Sequence, residues 1–148
     1  MPRHTSRKRL AATTCAATII GAAALVAGPV SSAQAATGSC NPGDFCLYYF
    51  TSRAGGLYEY SGSDSSLAND HFENADTSQV VNNNTDSAWN RGTGTGLIDV
   101  LVYDGTGYSS TARCIKQGRV VNNLGSFNNK ISSYKWVTRS VCDTYPQA

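Results

Sequence analysis

Histidine is almost missing from this chain: His4 and His71 are the only two in 148 residues. Imidazole chemistry therefore has little to work with, and neither residue stands in a His-Glu-x-x-His zinc pattern. No Gly-x-Ser-x-Gly elbow and no phosphate-cradling glycine motif occurs. Charge is sparse at 15% of residues. Helical periodicity is missing as well: no segment carries apolar residues at helical spacing for three turns, which excludes a helix bundle. Any helix is at most a turn, near Ser66 to His71. The carboxylate pairs Asp64 with Asp70 and Glu73 with Asp76 lie in a polar stretch, where solvation is the default reading. His71 reads as a turn histidine, and an enzyme is not expected.

What the sequence has begins with Arg3, Arg7, Lys8 and Arg9, followed by an alanine-rich apolar run from Leu10 to Val30 and the small-residue triplet Ala33-Gln34-Ala35. This order predicts an export signal over residues 1–35, cleaved after Ala35. A membrane anchor is the competing reading, but Ala, Thr and Gly dominate the run and a cleavage triplet closes it. The chain after residue 35 keeps eight Lys and Arg against ten Asp and Glu, a net −2. No basic patch is left for nucleic acid or an anionic membrane, so a partner must be recognised by shape and local contacts. A secreted, extracellular monomer with no membrane association after cleavage is expected.

About 113 residues remain after position 35, enough for one domain over residues 36–148 with one core but much wet surface. Four cysteines remain there, Cys40, Cys46, Cys114 and Cys142, and an even number in an exported chain reads as a disulfide framework. Three pairings are possible; proximity favours Cys40 with Cys46, leaving Cys114 with Cys142. Chain-entropy estimates give about 2 kcal/mol for the short loop and about 3.5 for the longer one. Zinc competes for four cysteines, but no Cys-x-x-Cys pair occurs.

The apolar runs are short and bounded by Gly, Asn, Asp and Ser: 45–50, 56–60, 79–81, 97–103, 119–121 and 131–137. They read as strands of an all-β sandwich or barrel. The two halves also resemble each other. Cys46-Leu47-Tyr48-Tyr49 aligns with Val100-Leu101-Val102-Tyr103, each before a glycine turn, and Val80 to Trp89 is echoed by Phe127 to Trp136. The offset is 54 residues at the front and 45 at the Asn pairs, with Gly92-Thr93-Gly94-Thr95-Gly96 as the connection. Two unequal four-strand copies follow, at about 40–91 and 97–137, each a Greek key burying a shared face. Tyr48, Tyr49, Tyr103, Trp89 and Trp136 are expected to pack in or against that core.

Asn128-Asn129-Lys130-Ile131-Ser132-Ser133 resembles the βγ-crystallin turn pattern of two Asn or Asp, two free positions, Ser or Thr, then Ser. Asn83-Asn84-Thr85-Asp86-Ser87-Ala88 matches it except at Ala88. More narrowly, Cys40-Asn41-Pro42-Gly43-Asp44-Phe45-Cys46-Leu47-Tyr48 with Gly55-Gly56 resembles actinobacterial secreted proteins of peptidase inhibitor family I36. That resemblance covers nearly all of residues 40–137. It implies a disulfide-stapled βγ-crystallin-like sandwich of two Greek keys whose partner is a secreted protease, of the thermolysin-like metalloprotease class.

Fold likeness does not establish function, so each implied site needs its own physical case. An inhibitor must present a rigid, extended segment with an apolar side chain just past the offered bond, because preorganisation limits the entropy lost on docking. Cys114-Ile115, flanked by Arg113 and Lys116, is the candidate, with the staple at Cys114 holding the bond. The crystallin likeness implies paired calcium clamps. Their ligands would be backbone oxygens near Thr85 and Lys130 and the hydroxyls of Ser87 and Ser132, around Asn83, Asn84, Asn128 and Asn129. Calcium takes six to eight oxygens and its affinity rises with ligand charge, so these neutral Asn pairs imply weak binding, ~10⁻⁴ to 10⁻³ M. No cofactor is required for inhibition; calcium is the one candidate ion.

Overall fold

A computed structural model describes residues 39–73 and 79–148. The expected export signal over residues 1–35 lies outside the described residues. Among the described residues, seven strands form two antiparallel sheets. They are β1 Phe45–Tyr48, β2 Leu57–Tyr60, β3 Ser87–Asn90, β4 Asp99–Gly105, β5 Ser109–Ile115, β6 Val120–Val121 and β7 Ser133–Val137. The first sheet runs β2-β1-β3-β6 and the second β5-β4-β7. The two copies exchange edges. β6, from the second copy, closes the first sheet on β3. Asp64, from the first copy, returns the exchange by bridging Tyr134 of β7 through two backbone hydrogen bonds of 2.8 Å. Each copy thus supplies an edge that the other lacks, which leaves fewer unpaired strand groups.

The period-two alternation of a strand explains the layers. In β1, Phe45 and Leu47 face the shared interior, while Cys46 and Tyr48 face outward. In β4, Val100 and Val102 face inward, and Leu101 and Tyr103 face outward. The interior also takes Leu67, Phe72, Ala88, Ile131 and Tyr134, all 2% exposed or less. Each outward face is covered and stapled: Cys40–Cys46 lies on the first sheet with Leu57 and Trp89, and Cys114–Cys142 ties β5 to the helix α1 Arg139–Cys142. Tyr48 and Tyr103 are buried, and Tyr49, Trp89 and Trp136 pack half-buried on the clusters. The short 3-10 turn expected near Ser66 is present at Leu67–Asn69.

Two strand expectations need correction. Residues 79–81 form no strand; only Val80 is bridged, to His71. Ser109–Ile115 does form one, and its outer half, Ser109 to Thr111, is exposed and polar, so no apolar run marked it. The repeat alignment slips by one residue as well. Ser87 Oγ donates to Phe50 O at 2.6 Å and accepts from Arg53 N at 3.0 Å. Ser133 Oγ donates to Gly105 O at 2.6 Å and accepts from Tyr108 N at 3.1 Å. Asp86 N donates to Tyr48 O as Ser132 N donates to Tyr103 O. Ser87 is therefore equivalent to Ser133 and Tyr48 to Tyr103. A one-residue slip flips every side chain between faces, and β4 hid it because both of its faces are apolar.

Candidate functional site

The expected inhibitory loop, Arg113 to Lys116, is instead largely strand, and its central bond is not on the surface. Cys114 and Ile115 are both 0% exposed, and Ile115 packs in the interior against the Val100 register. Cys114 N donates to Pro146 O at 2.8 Å and Cys114 O accepts from Ala148 N at 2.9 Å. Ile115 O accepts from Asn90 Nδ2 at 2.9 Å. A bond so paired cannot be offered to a protease. The flanking cations are engaged too: Arg113 stacks 5.7 Å over Phe127, and Lys116 pairs with Asp143 at 2.7 Å.

The two Asn turns clasp each other across the pseudo-twofold. Asn83 and Asn129 both take left-handed backbone, with φ of 59° and 55°. Asn tolerates that region better than most residues. Asn83 N donates to Ile131 O at 3.0 Å, and Asn129 N to Thr85 O at 2.9 Å. The corrected register places Asn82-Asn83-Asn84-Thr85-Asp86-Ser87 on Asn128-Asn129-Lys130-Ile131-Ser132-Ser133. Thr85 O is therefore already used, and the Ser87 hydroxyl is spent on Phe50 and Arg53, so neither is a free ligand. Asn84 O and the Asp86 carboxylate take their places.

Around the second turn, Ser132 Oγ lies 3.1 Å from Asn83 Oδ1, and 3.4 Å from both Lys130 O and Asp104 O. Around the first, the Asn129 side chain faces Asp86, whose carboxyl is raised above its ordinary value by burial. Oδ1 of Asn82, Asp86 and Asn128 are all buried without a hydrogen-bond partner. Orphaned buried oxygens are costly, and oxygen-only ligands suit a hard cation, so this cradle fits calcium. Asp86 is the side chain of the cradle that the slipped alignment missed.

Elsewhere, Glu59, Cys40 and Cys46 are the one grouping of metal-type ligands among the described residues. Its sulfurs are bonded to each other and Glu59 accepts from Asn41 N and Nδ2 at 3.0 and 2.8 Å, so zinc has no set here. Asp64 and Asp70 do come together. Asp64 accepts from Tyr58 Oη and Ser66 N, both at 2.9 Å, and burial and then Asp64 push the Asp70 carboxyl up. His71 is exposed.

The connection between β3 and β4 is the remaining feature. Residues 93–97 are exposed, and Leu97 is 62% exposed, above Phe50 at 50% and Tyr60 at 48%. The flanks are held. Buried Asn90 accepts from Gly92 N at 2.8 Å and donates to Ile98 O at 3.0 Å. Gln117 Nε2 donates to Gly92 O at 2.9 Å and reaches Gly94 O at 3.5 Å. Ile98 N donates to Val137 O at 3.1 Å. Asp99, fully buried, accepts from Gln117 N and pairs with Arg139 Nε, both at 2.7 Å. An open cleft of about 330 Å³ lies beside the loop, lined by Gly43, Gly62, Thr93, Leu97 and Trp136. Read as the start of a strand in sequence, Leu97 carries a signal only in the glycines that precede it.

Two exchanged Greek keys with clasped Asn turns define a βγ-crystallin-type fold. A solved structure described as "Evolution of the eye lens beta-gamma-crystallin domain fold" superposes with a TM-score of 0.53 at 14% identity, covering 69% of this chain and 92% of that one. A βγ-crystallin from Ciona intestinalis gives 0.49 at 22% identity, over 64% of this chain and 99% of that one. No protein of curated function matches in sequence. Residues 33–115 match peptidase inhibitor family I36, and the chain belongs to that family.

Proposed function

We propose that this protein is an exported, non-enzymatic peptidase inhibitor that blocks metalloproteases of the thermolysin type as a rigid monomeric wedge. The observation that carries the reading is membership of an inhibitor family together with an apolar side chain held out on an anchored loop. Two staples and a closed pair of sheets restrict the loss of order on docking. The test expresses the full chain in a host with general secretory export and recovers the protein from the medium, where intact mass reads any cleavage after Ala35. Titration against a thermolysin-type protease follows, with calcium in excess so that chelation of the enzyme's structural ions cannot mimic inhibition. Unchanged protease activity at micromolar protein rejects the reading for that enzyme class.

A second reading, calcium binding at the clasped Asn turns, is supported by the orphaned Asp86 Oδ1 beside the Asn129 side chain and by the Ser132 hydroxyl beside Asn83 Oδ1. Asp86, Asn129 and Asn84 O would hold one ion, and Asn83, Ser132, Lys130 O and Asp104 O the other. The ion would neutralise buried oxygen charge and lock the two copies together. At 10 mM calcium and the weak affinity expected, roughly 1.4 to 2.7 kcal/mol of added stability follows for each site filled. Absence of both calorimetric heat and a melting shift at millimolar calcium makes the turns structural only.

A further inference from the structure

We infer that the protease contact is the loop from Gly92 to Ile98, with Leu97 as the side chain that enters the enzyme's apolar pocket and Gly96–Leu97 as the bond offered. The inference rests on the inhibitor reading and adds where, and to which subsite, the protein binds. Exposure is the first argument. Among the described residues Leu97 is the most exposed of the large apolar side chains, whereas the next, Phe50, leans on Tyr49 with ring centroids 4.7 Å apart. A leucine held in water gains on entering a dry pocket, and this one has little of its own fold to leave.

The backbone decides which bond can be offered. Ile98 uses both its amide, to Val137 O, and its carbonyl, to Asn90 Nδ2, so the Leu97–Ile98 bond is fastened into the domain. Thr95, Gly96 and Leu97 make no backbone hydrogen bond among the described residues, so their groups are free to pair with a protease's substrate cleft. An enzyme that reads the residue before the bond finds only Gly96. An enzyme that reads the residue after it finds Leu97, which is the preference of the thermolysin type proposed above. Asn90, Gln117 and Val137 grip both sides of this short stretch. A cut there would leave both new ends beside the enzyme, which favours a lasting complex over release.

The deciding experiment measures inhibition constants for the recovered protein and three variants against one thermolysin-type protease, with melting temperatures alongside. Leu97→Asp is expected to weaken inhibition at least 100-fold and Leu97→Ala at least 10-fold, with melting unchanged because the side chain packs little. Phe50→Asp, on the opposite copy's turn, is expected to stay within 3-fold of the parent. If the parent fails to inhibit, the inhibitor reading fails. If the parent inhibits and both Leu97 variants stay within 3-fold of it, the loop assignment alone is overturned.

Discussion

Ile115 tests the burial that removed it from the protease contact. Its side chain is 0% exposed, on the inward face of β5, among Val100, Val102 and Tyr134. Ile115→Ala deletes three carbons from a packed interior, and such truncations cost about 2–5 kcal/mol, the lost transfer energy plus the cavity left behind. Domains of this size have ~5–15 kcal/mol in total, so the variant still folds in most of that range. At roughly 4 °C per kcal/mol, melting should fall by ~8–20 °C. Ile115→Val should cost only about 0.5–1.5 kcal/mol. Circular dichroism melts give the stability, and inhibition measured well below the melting point gives the contact. Inhibition per folded molecule should stay within a few-fold of the parent. A variant that melts like the parent yet loses inhibition tenfold would place Ile115 at the protease interface and refute the reasoning.

The paired serines make a sharper comparison. Ser133→Ala leaves half-buried Gly105 O and Tyr108 N without their partner and should cost about 1–3 kcal/mol by thermal or denaturant unfolding. Ser87→Ala should cost less, because Phe50 and Arg53 are exposed and water can replace the hydroxyl; equal costs would count against that account. Asp86→Asn should abolish or halve the calcium-dependent rise in melting temperature, and an undiminished rise would place the ion elsewhere. Asp70 has its carboxyl raised by burial first and by Asp64 second, so the fold favours its protonated form. That contribution is full below pH ~3.8 and is lost as pH rises through the raised value. Asp70→Asn should therefore raise the melting temperature at pH 7 and do nothing at pH 3; a loss of stability at pH 7 would mean that the charged form is the one held.

Much of the architecture is readable from local chemistry. Short apolar runs between turn formers give strands, and the even set of four cysteines at 40, 46, 114 and 142 gives two staples, which lie on outward faces because Cys46 alternates with inward Phe45 and Leu47. The repeated Asn turns and the Cys40–Tyr48 segment with Gly55-Gly56 are enough to suggest the family. The errors share one cause, that a residue's neighbours across the sandwich are not written beside it. Val100 to Tyr103 is apolar throughout because each face meets a different partner layer, and so its phase against Cys46 to Tyr49 was ambiguous by one residue. That slip carried the clamp from Asn84 O and Asp86 to Thr85 O and Ser87.

Ile115 and Leu97 show the same limit from opposite sides. Both are apolar residues beside a strand end, and composition cannot separate them. Packing of two sheets puts Ile115 under Asn90 and Val100, while the crossing from one Greek key to the next leaves Leu97 in water. Strand type and the short Cys40–Cys46 staple follow from interactions between near neighbours in the chain, and the duplication is visible as a repeated pattern of them. Which side chains end up dry, which oxygens are left unpaired and which bond stands free follow from contacts between segments tens of residues apart, and those exist once the two copies have exchanged edges.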